Sequence, residues 1–143
     1  MFIGQYDHQL DEKNRLRVPA KLRKRLGKDY IVTKGTNKCL FIFPHEQMQE
    51  KLLKKFDNVP IFDDKTRKSI RFILSSAFEV QEDKQGRFVL PKNLKEHAKI
   101  KKDIVIIGMG DYLEIWSLEE WTSYFNSDDD KEDIFKGLVK YEV

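Results

Sequence analysis

Cysteine is nearly missing from this sequence. Its one copy, Cys39, has no partner for an intramolecular disulfide and lies in the apolar run CLFIF, which suits a small buried hydrophobe. That usage fits a reducing compartment, and the cytoplasm is the expected location. Long apolar stretches are lacking as well. The most apolar run, IVIIGMG, falls far short of the roughly 20 residues that cross a bilayer. The opening MFIGQYDHQLDEK has neither a basic start nor a long apolar stretch, so neither export nor membrane insertion is expected.

Clusters that carry chemistry are equally scarce. His8, His45 and His97 stand far apart, and HEQMQ at 45–49 lacks the second histidine of a helical zinc site. GMG at 108–110 has no third glycine before a helix and no phosphate-loop lysine after it. The carboxylates of SDDDKED form a solvated run rather than an acid and base held in separate environments. No catalytic residue, metal site, cofactor or small-molecule substrate is assigned, and an enzyme is not the expected class.

What the chain does have is charge. Of its 143 residues 36% are charged and 40% hydrophobic, the latter enough for one compact core. The net charge of +3 is small but uneven: residues 11–28 carry eight Lys or Arg against two acids, and residues 119–143 carry eight acids against three Lys. One end suits an anion and the other repels it.

The chain also repeats itself. Sliding it by 72 residues lays Asp11, Arg15, Pro19 and Leu22 on Asp83, Arg87, Pro91 and Leu94, with Arg23 on Lys95. One residue further on, LFIFPHEQM (40–48) lies on LEIWSLEEW (113–121). Each half reads as a βαββ unit. Leu16 and Val18 alternate with Arg15 and Arg17, so strand period two sends the cations to one face and the apolar pair to the other. Pro19 then opens a short helix with Leu22 and Leu26 on one side and Gly27 as its stop, and PKNLKEHAK opens the same way. YIVT with CLFIF, and DIVIIG with YLEIW, supply paired β runs. Strands this short close no core alone, so the two halves are expected to merge into a single barrel.

Flanking helices follow from spacing. Met48, Leu52 and Phe56 fall at steps of four in PHEQMQEKLLKKF, and SLEEWTSYF opens with a capping box, Ser117 and Glu120, before Trp121 and Phe125. DDKTRKSIRFILSSA has an acidic start and Ile70, Ile73, Leu74 and Ala77 along one side. The end, NSDDDKEDIFKGLVKYEV, reads as a solvated acidic linker and a weak helix. The expected division is a first repeat over residues 1–60, a connecting helix over 61–76, and a second repeat with an acidic helical tail over 77–143.

At the fourth place of each Asp-x-x-x-Arg turn stands Asn14 or Gly86, the residue types that most readily accept a left-handed backbone. Asp11 and Asp83 can accept hydrogen bonds from turn N–H groups, which leaves Arg15 and Arg87 as cations on rigid tips. An arginine fork matches a phosphate or a guanine edge. The competing reading pairs each arginine with its own aspartate, a contact worth about 0 to 1 kcal/mol when exposed. Lys13, Arg17, Lys21, Arg23, Lys24 and Arg25 surround Arg15 and favour the ligand-facing role. In the second copy Val89 and His97 replace Arg17 and Arg25, so the two loops are not equal contributors.

DEKNRLRVP (11–19) and DKQGRFVLP (83–91), with the opening MFIGQYDHQLD, each depart by one residue from the motif Asp-x-Lys-Gly-Arg-x-x-x-Pro and resemble the MraZ proteins, relatives of the AbrB-type swapped-hairpin transcription factors. The resemblance spans nearly all of the chain. It implies an α+β fold in which two tandem βαββ repeats form a swapped-hairpin, AbrB-like β-barrel with flanking helices. It also implies a nucleoid-associated DNA-binding regulator that recognises direct repeats in the promoter of the division and cell-wall gene cluster. The partners implied are double-stranded DNA and further copies of the chain, in a ring-shaped homo-oligomer of eight or more. By the same resemblance the DNA-facing role falls on Lys13, Arg15 and Arg87, then on Arg23 and Lys24, with Arg17 on the same strand face. Asn14 stands where the family has glycine, and Gln85 where the first copy has Lys13. The competing class is a protein-interaction module or an antitoxin-type DNA-binding subunit on the same scaffold. In that case the acidic tail and Trp116, Trp121 and Phe125 would face a protein.

Overall fold

The computed structural model describes residues 1–126 and 131–143. Alternating apolar residues build its central layer. β1 (Gln5–Gln9), β3 (Ile31–Lys34), β4 (Leu40–Phe43), β5 (Phe78–Glu79), β7 (Asp103–Gly108) and β8 (Leu113–Ser117) form an antiparallel sheet ordered β1-β7-β8-β4-β3-β5. Val32, Leu40, Ile42, Ile104, Ile106, Leu113 and Ile115 lie in one buried cluster, and the intervening Ile31, Phe41, Phe43, Val105 and Trp116 in another. Period two thus gives the sheet two cores, one on each face.

The first core is closed by a second, smaller layer. β2 (Arg15–Arg17) and β6 (Arg87–Val89) pair with each other in register Arg15↔Val89, Leu16↔Phe88 and Arg17↔Arg87. Leu16 and Phe88 face inward and are buried. Helix α1 (Ala20–Leu26) starts after Pro19, buries Leu22 and Leu26, and stops at Gly27, whose φ of 72° is open to glycine at little cost. Helix α5 (Lys92–His97) follows Pro91 in the same manner and buries Leu94.

Strands are exchanged between the repeats. β1 of the first pairs with β7 of the second, and β5 of the second pairs with β3 of the first. Equivalent residues meet in two ladders, Leu16 opposite Phe88 and Phe41 opposite Glu114, as an internal twofold axis requires. The expected closed barrel is not formed. β2 and β6 satisfy each other as a separate ribbon, and the six-stranded sheet stays open, ending on β1 and on the two-residue β5.

The second core is covered by helices. α2 (His45–Met48), a π turn (Gln49–Leu53) and α3 (Lys54–Asp57) replace the uninterrupted helix expected there; the wider turn brings both Leu52 and Leu53 against the core beside buried Met48. Cys39 is fully buried in this core, and burial pushes its thiol up. Glu114 is buried there too. Burial pushes its carboxyl up, opposed by Trp116 Nε1, which donates to Oε1 at 3.0 Å, and by the neighbouring Cys39 thiol.

Helix α4 (Asp64–Leu74) lies between α3 and β5, capped by Asp63, whose side chain accepts from Thr66 N–H at 3.1 Å. Before α6 (Leu118–Asn126) only half of the expected capping box forms. Ser117 Oγ accepts from Glu120 N–H at 3.3 Å, but Ser117 belongs to β8 and the Glu120 carboxylate turns to Lys38 and Lys99, both 3.9 Å away. α7 (Lys131–Lys136) and a 3-10 turn (Val139–Tyr141) end the chain; the acidic linker read at 127–130 lies outside the described residues. Among the described residues no helix is long and apolar enough to cross a membrane.

Candidate nucleic-acid interface

The two Asp-x-x-x-Arg segments fold into matching loops beside the β2–β6 ribbon. In the first, Asp11 Oδ1 accepts from the N–H groups of Lys13 and Arg15 at 2.9 Å each, and Asn14 N–H donates to the Asp11 carbonyl at 3.0 Å. In the second, Asp83 Oδ1 accepts from Gln85 and Arg87 N–H at 2.8 and 2.9 Å, and Gly86 N–H donates to the Asp83 carbonyl at 3.0 Å. Both corners are left-handed, with φ of 58° at Asn14 and 76° at Gly86. That is the conformation to which Asn and Gly are best suited.

The second carboxylate oxygen of each aspartate holds the arginine side chain. Arg15 Nε lies 2.6 Å from Asp11 Oδ2, and Arg87 Nε lies 3.0 Å from Asp83 Oδ2. The pairing of each arginine with its own aspartate is thus what the geometry shows. The carboxylate uses only the Nε edge, and about a quarter of each arginine side chain remains exposed (26% and 27%).

These bonds set the loops' acid response. At Asp83 the Arg87 N–H is the largest influence and lowers the carboxyl, with help from Gln85 N–H and the guanidinium. At Asp11 desolvation is the largest single influence and opposes ionisation. The bonds from Arg15 and Lys13, with the Arg15 charge, together outweigh it and hold the carboxyl below 3.8. A carboxyl lowered by folding contributes stability that is complete above its unfolded value and is lost as pH falls through the folded one. Loop order should therefore persist down to about pH 4 and be lost only below it. Amide shifts of Lys13, Arg15, Gln85 and Arg87, followed from pH 6 to pH 2, provide the check. Asp11→Asn should abolish the first loop's transition and spare the second's, and a midpoint above pH 4 would contradict the assignment.

Ribbon register then sets the outer face. With Leu16 and Phe88 inward, Arg15, Arg17, Arg87 and Val89 all point outward, and Arg17 stands directly opposite Arg87. Like charges in directly opposed positions disfavour a sheet pair. Asp11 offsets part of that repulsion, its Oδ2 lying 4.0 Å from Arg87 Nη1. The three arginines line an open groove of about 640 Å³ that also contains Asp7, His8 and Asp103. Lys13 and Lys24 are exposed but lie outside that lining.

Arg23 sits elsewhere. Its Nε and Nη2 approach Glu82 at 2.9 and 3.4 Å, and buried Tyr30 donates its hydroxyl to the same carboxylate at 2.8 Å. Burial, then the Glu82 contact, pushes the Tyr30 phenol up. Glu82 and Tyr30 carry no sequence signal of this role, since their pairing spans 52 residues. Lys95 did carry one, as the repeat counterpart of Arg23. The histidines occupy three separate settings: His8 in the groove, His45 3.3 Å from Glu79, and His97 with its Nε2 3.0 Å from the Gly35 carbonyl oxygen.

Two fused βαββ repeats with exchanged strands, presenting an arginine-rich ribbon between paired loops, define a duplicated α+β class of chain. Within that class the chain belongs to the MraZ family: the family model described as "MraZ protein, putative antitoxin-like" matches residues 1–72 and again residues 73–138. It is 47% identical over 134 residues to the transcriptional regulator MraZ of Clostridium beijerinckii, covering 94% of each chain. It is 44% identical over 140 residues to the protein of that name from Syntrophomonas wolfei, covering 97% of each. The Clostridium tetani relative is 44% identical over 137 residues, covering 94% of each.

Proposed function

We propose that the chain is a transcriptional regulator that binds double-stranded DNA sequence-specifically through the outer face of the β2–β6 ribbon and its two loops. The observation that carries this reading is Arg17 opposite Arg87 beside Arg15, a like-charged array that an anion would stabilise. A two-stranded ribbon fits the major groove, and arginine forks suit guanine O6 and N7 as well as phosphate. Asp7, Asp11 and Asp103 near the same groove keep phosphate out of its floor and favour base edges there. The relatives' shared name describes regulators, not enzymes. It supports a role in transcription regulation; that the protein acts in the cytoplasm at the nucleoid, on direct repeats in the promoter of the division and cell-wall gene cluster, is part of our proposal.

Self-association into a ring belongs to the same reading. Phe62 is 97% exposed, and the apolar side of α4 has no buried residue, which supports contacts between copies. Linked basic ribbons multiply affinity when site spacing matches their geometry.

The test is titration of the purified protein against its own upstream promoter fragment at several salt concentrations, beside a shuffled fragment of equal length. Tight, salt-sensitive preference for the native fragment is expected, and equal binding to both would refute sequence reading. Val89, 59% exposed and opposite Arg15, adds an apolar contact suited to a thymine methyl. Uracil in place of one operator thymine should weaken wild-type binding by about 1 kcal/mol and leave Val89→Ala unaffected. Equal sensitivity in both proteins would remove that role.

A further inference from the structure

Arg23 and Lys95 occupy equivalent places on α1 and α5, and each reaches into the loop of the other repeat. The Arg23 guanidinium lies over Gly86, so close that a Cβ there would collide with it, while its fork is engaged by Glu82. Lys95 Nζ donates to Asn14 Oδ1 at 2.7 Å. The clasp is therefore reciprocal, helix of one repeat on loop corner of the other. Each corner is matched to its grip. A flat guanidinium needs a corner with no side chain, and an ammonium needs an acceptor, which Asn supplies while tolerating φ of 58°. The replacement of the family's glycine by Asn14 gains a physical account from this match.

We propose that Arg23 and Lys95 are positioning residues that lock the two loops to one another, so that Arg15, Arg17 and Arg87 meet DNA as one pre-set array. On this inference neither cation touches a phosphate. Arg23 directs Nε and Nη2 at Glu82, and Lys95 directs one N–H at Asn14, so each cation is held toward the opposite repeat's loop. Prealigned groups lose less freedom on binding, so loosening a loop weakens affinity without removing a contact. The inference rests on the DNA-binding reading above and deepens it.

Salt dependence separates positioning from contact, because each phosphate contact adds about 0.9 to the slope of log affinity against log salt. Lys95→Met, Asn14→Gly and the double variant are titrated against the promoter fragment over a salt series. Each single variant should bind roughly 3- to 10-fold more weakly with an unchanged slope, and the double variant should be no worse than either single. A slope reduced by about 0.9 in Lys95→Met would make Lys95 a phosphate contact and overturn the inference. So would unchanged affinity in both single variants, or additive losses. Amide hydrogen exchange at Lys13 and Arg15 adds a readout that needs no DNA. Faster exchange in Lys95→Met is expected, and unchanged exchange would show that the clasp does not order the loop. If the wild type binds no duplex, the DNA-binding reading falls and the positioning role falls with it, while the exchange result still decides the clasp.

Discussion

Arg15→Ala should weaken binding to the specific site by about 1 to 3 kcal/mol, roughly fivefold to 150-fold, with little change in fold stability. The stability effect is small because Asp11 keeps its two backbone hydrogen bonds from Lys13 and Arg15, which need no arginine side chain. The binding effect is large for two reasons. A fork donor disappears from the outer face, and the Asp11 carboxylate, freed from a 2.6 Å partner, places an uncompensated negative charge beside the nucleic acid. Arg87 is 4.0 Å away and replaces that partner only in part. Titration against the promoter fragment, paired with a thermal melt, tests both halves of the expectation. Normal operator binding would remove Arg15 from the interface, and a large fall in melting temperature would recast it as a structural residue.

Gly86→Ala should be the most damaging single change in the second loop. An alanine at φ of 76° carries about 1 to 2 kcal/mol of backbone strain. Its Cβ also displaces the Arg23 guanidinium, the far end of a flexible side chain, and so weakens the Arg23–Glu82 pair. Together these should destabilise the protein by roughly 1 to 3 kcal/mol. Removing the obstacle tests the cause: the double variant with Arg23→Ala should recover the steric part and lose less than the sum of the two single changes. Strict additivity in thermal or urea unfolding would show that Gly86 and Arg23 do not interact as described.

Local pattern made much of this legible before any fold was known. Leu16 and Val18, alternating with Arg15 and Arg17, are both fully buried, and Pro19 and Pro91 open their helices. The loop corners were readable because only a few residue types tolerate a left-handed backbone. Partner choice between distant strands was not readable. Nothing near Phe78 says that it will pair with Val32, or near Tyr6 that it will pair with Ile106. A closed barrel was the natural expectation for eight short strands, yet the ribbon's preference for itself leaves the sheet open. The π turn at Gln49–Leu53 leaves no mark in the sequence, because steps of four describe an unbroken helix equally well. Arg23, which the resemblance places toward DNA, is held in the structure by Glu82 and Gly86, some 60 residues away, and nothing in the local sequence marks that contact.

A dimer of identical halves shows the same face on either side of its axis, and on DNA it reads a palindrome. Here the halves are one chain, so the intertwined core forms without any dependence on protein concentration. Fusion also frees the halves to differ. Across the Leu16–Phe88 pair, β2 offers two arginines and β6 an arginine and a valine. The ribbon consequently has a front and a back, and on the proposed reading each protomer would point one way along the duplex. Tandem sites in a single orientation suit such a polar reader, whereas inverted sites would ask for a symmetry that Val89 has removed.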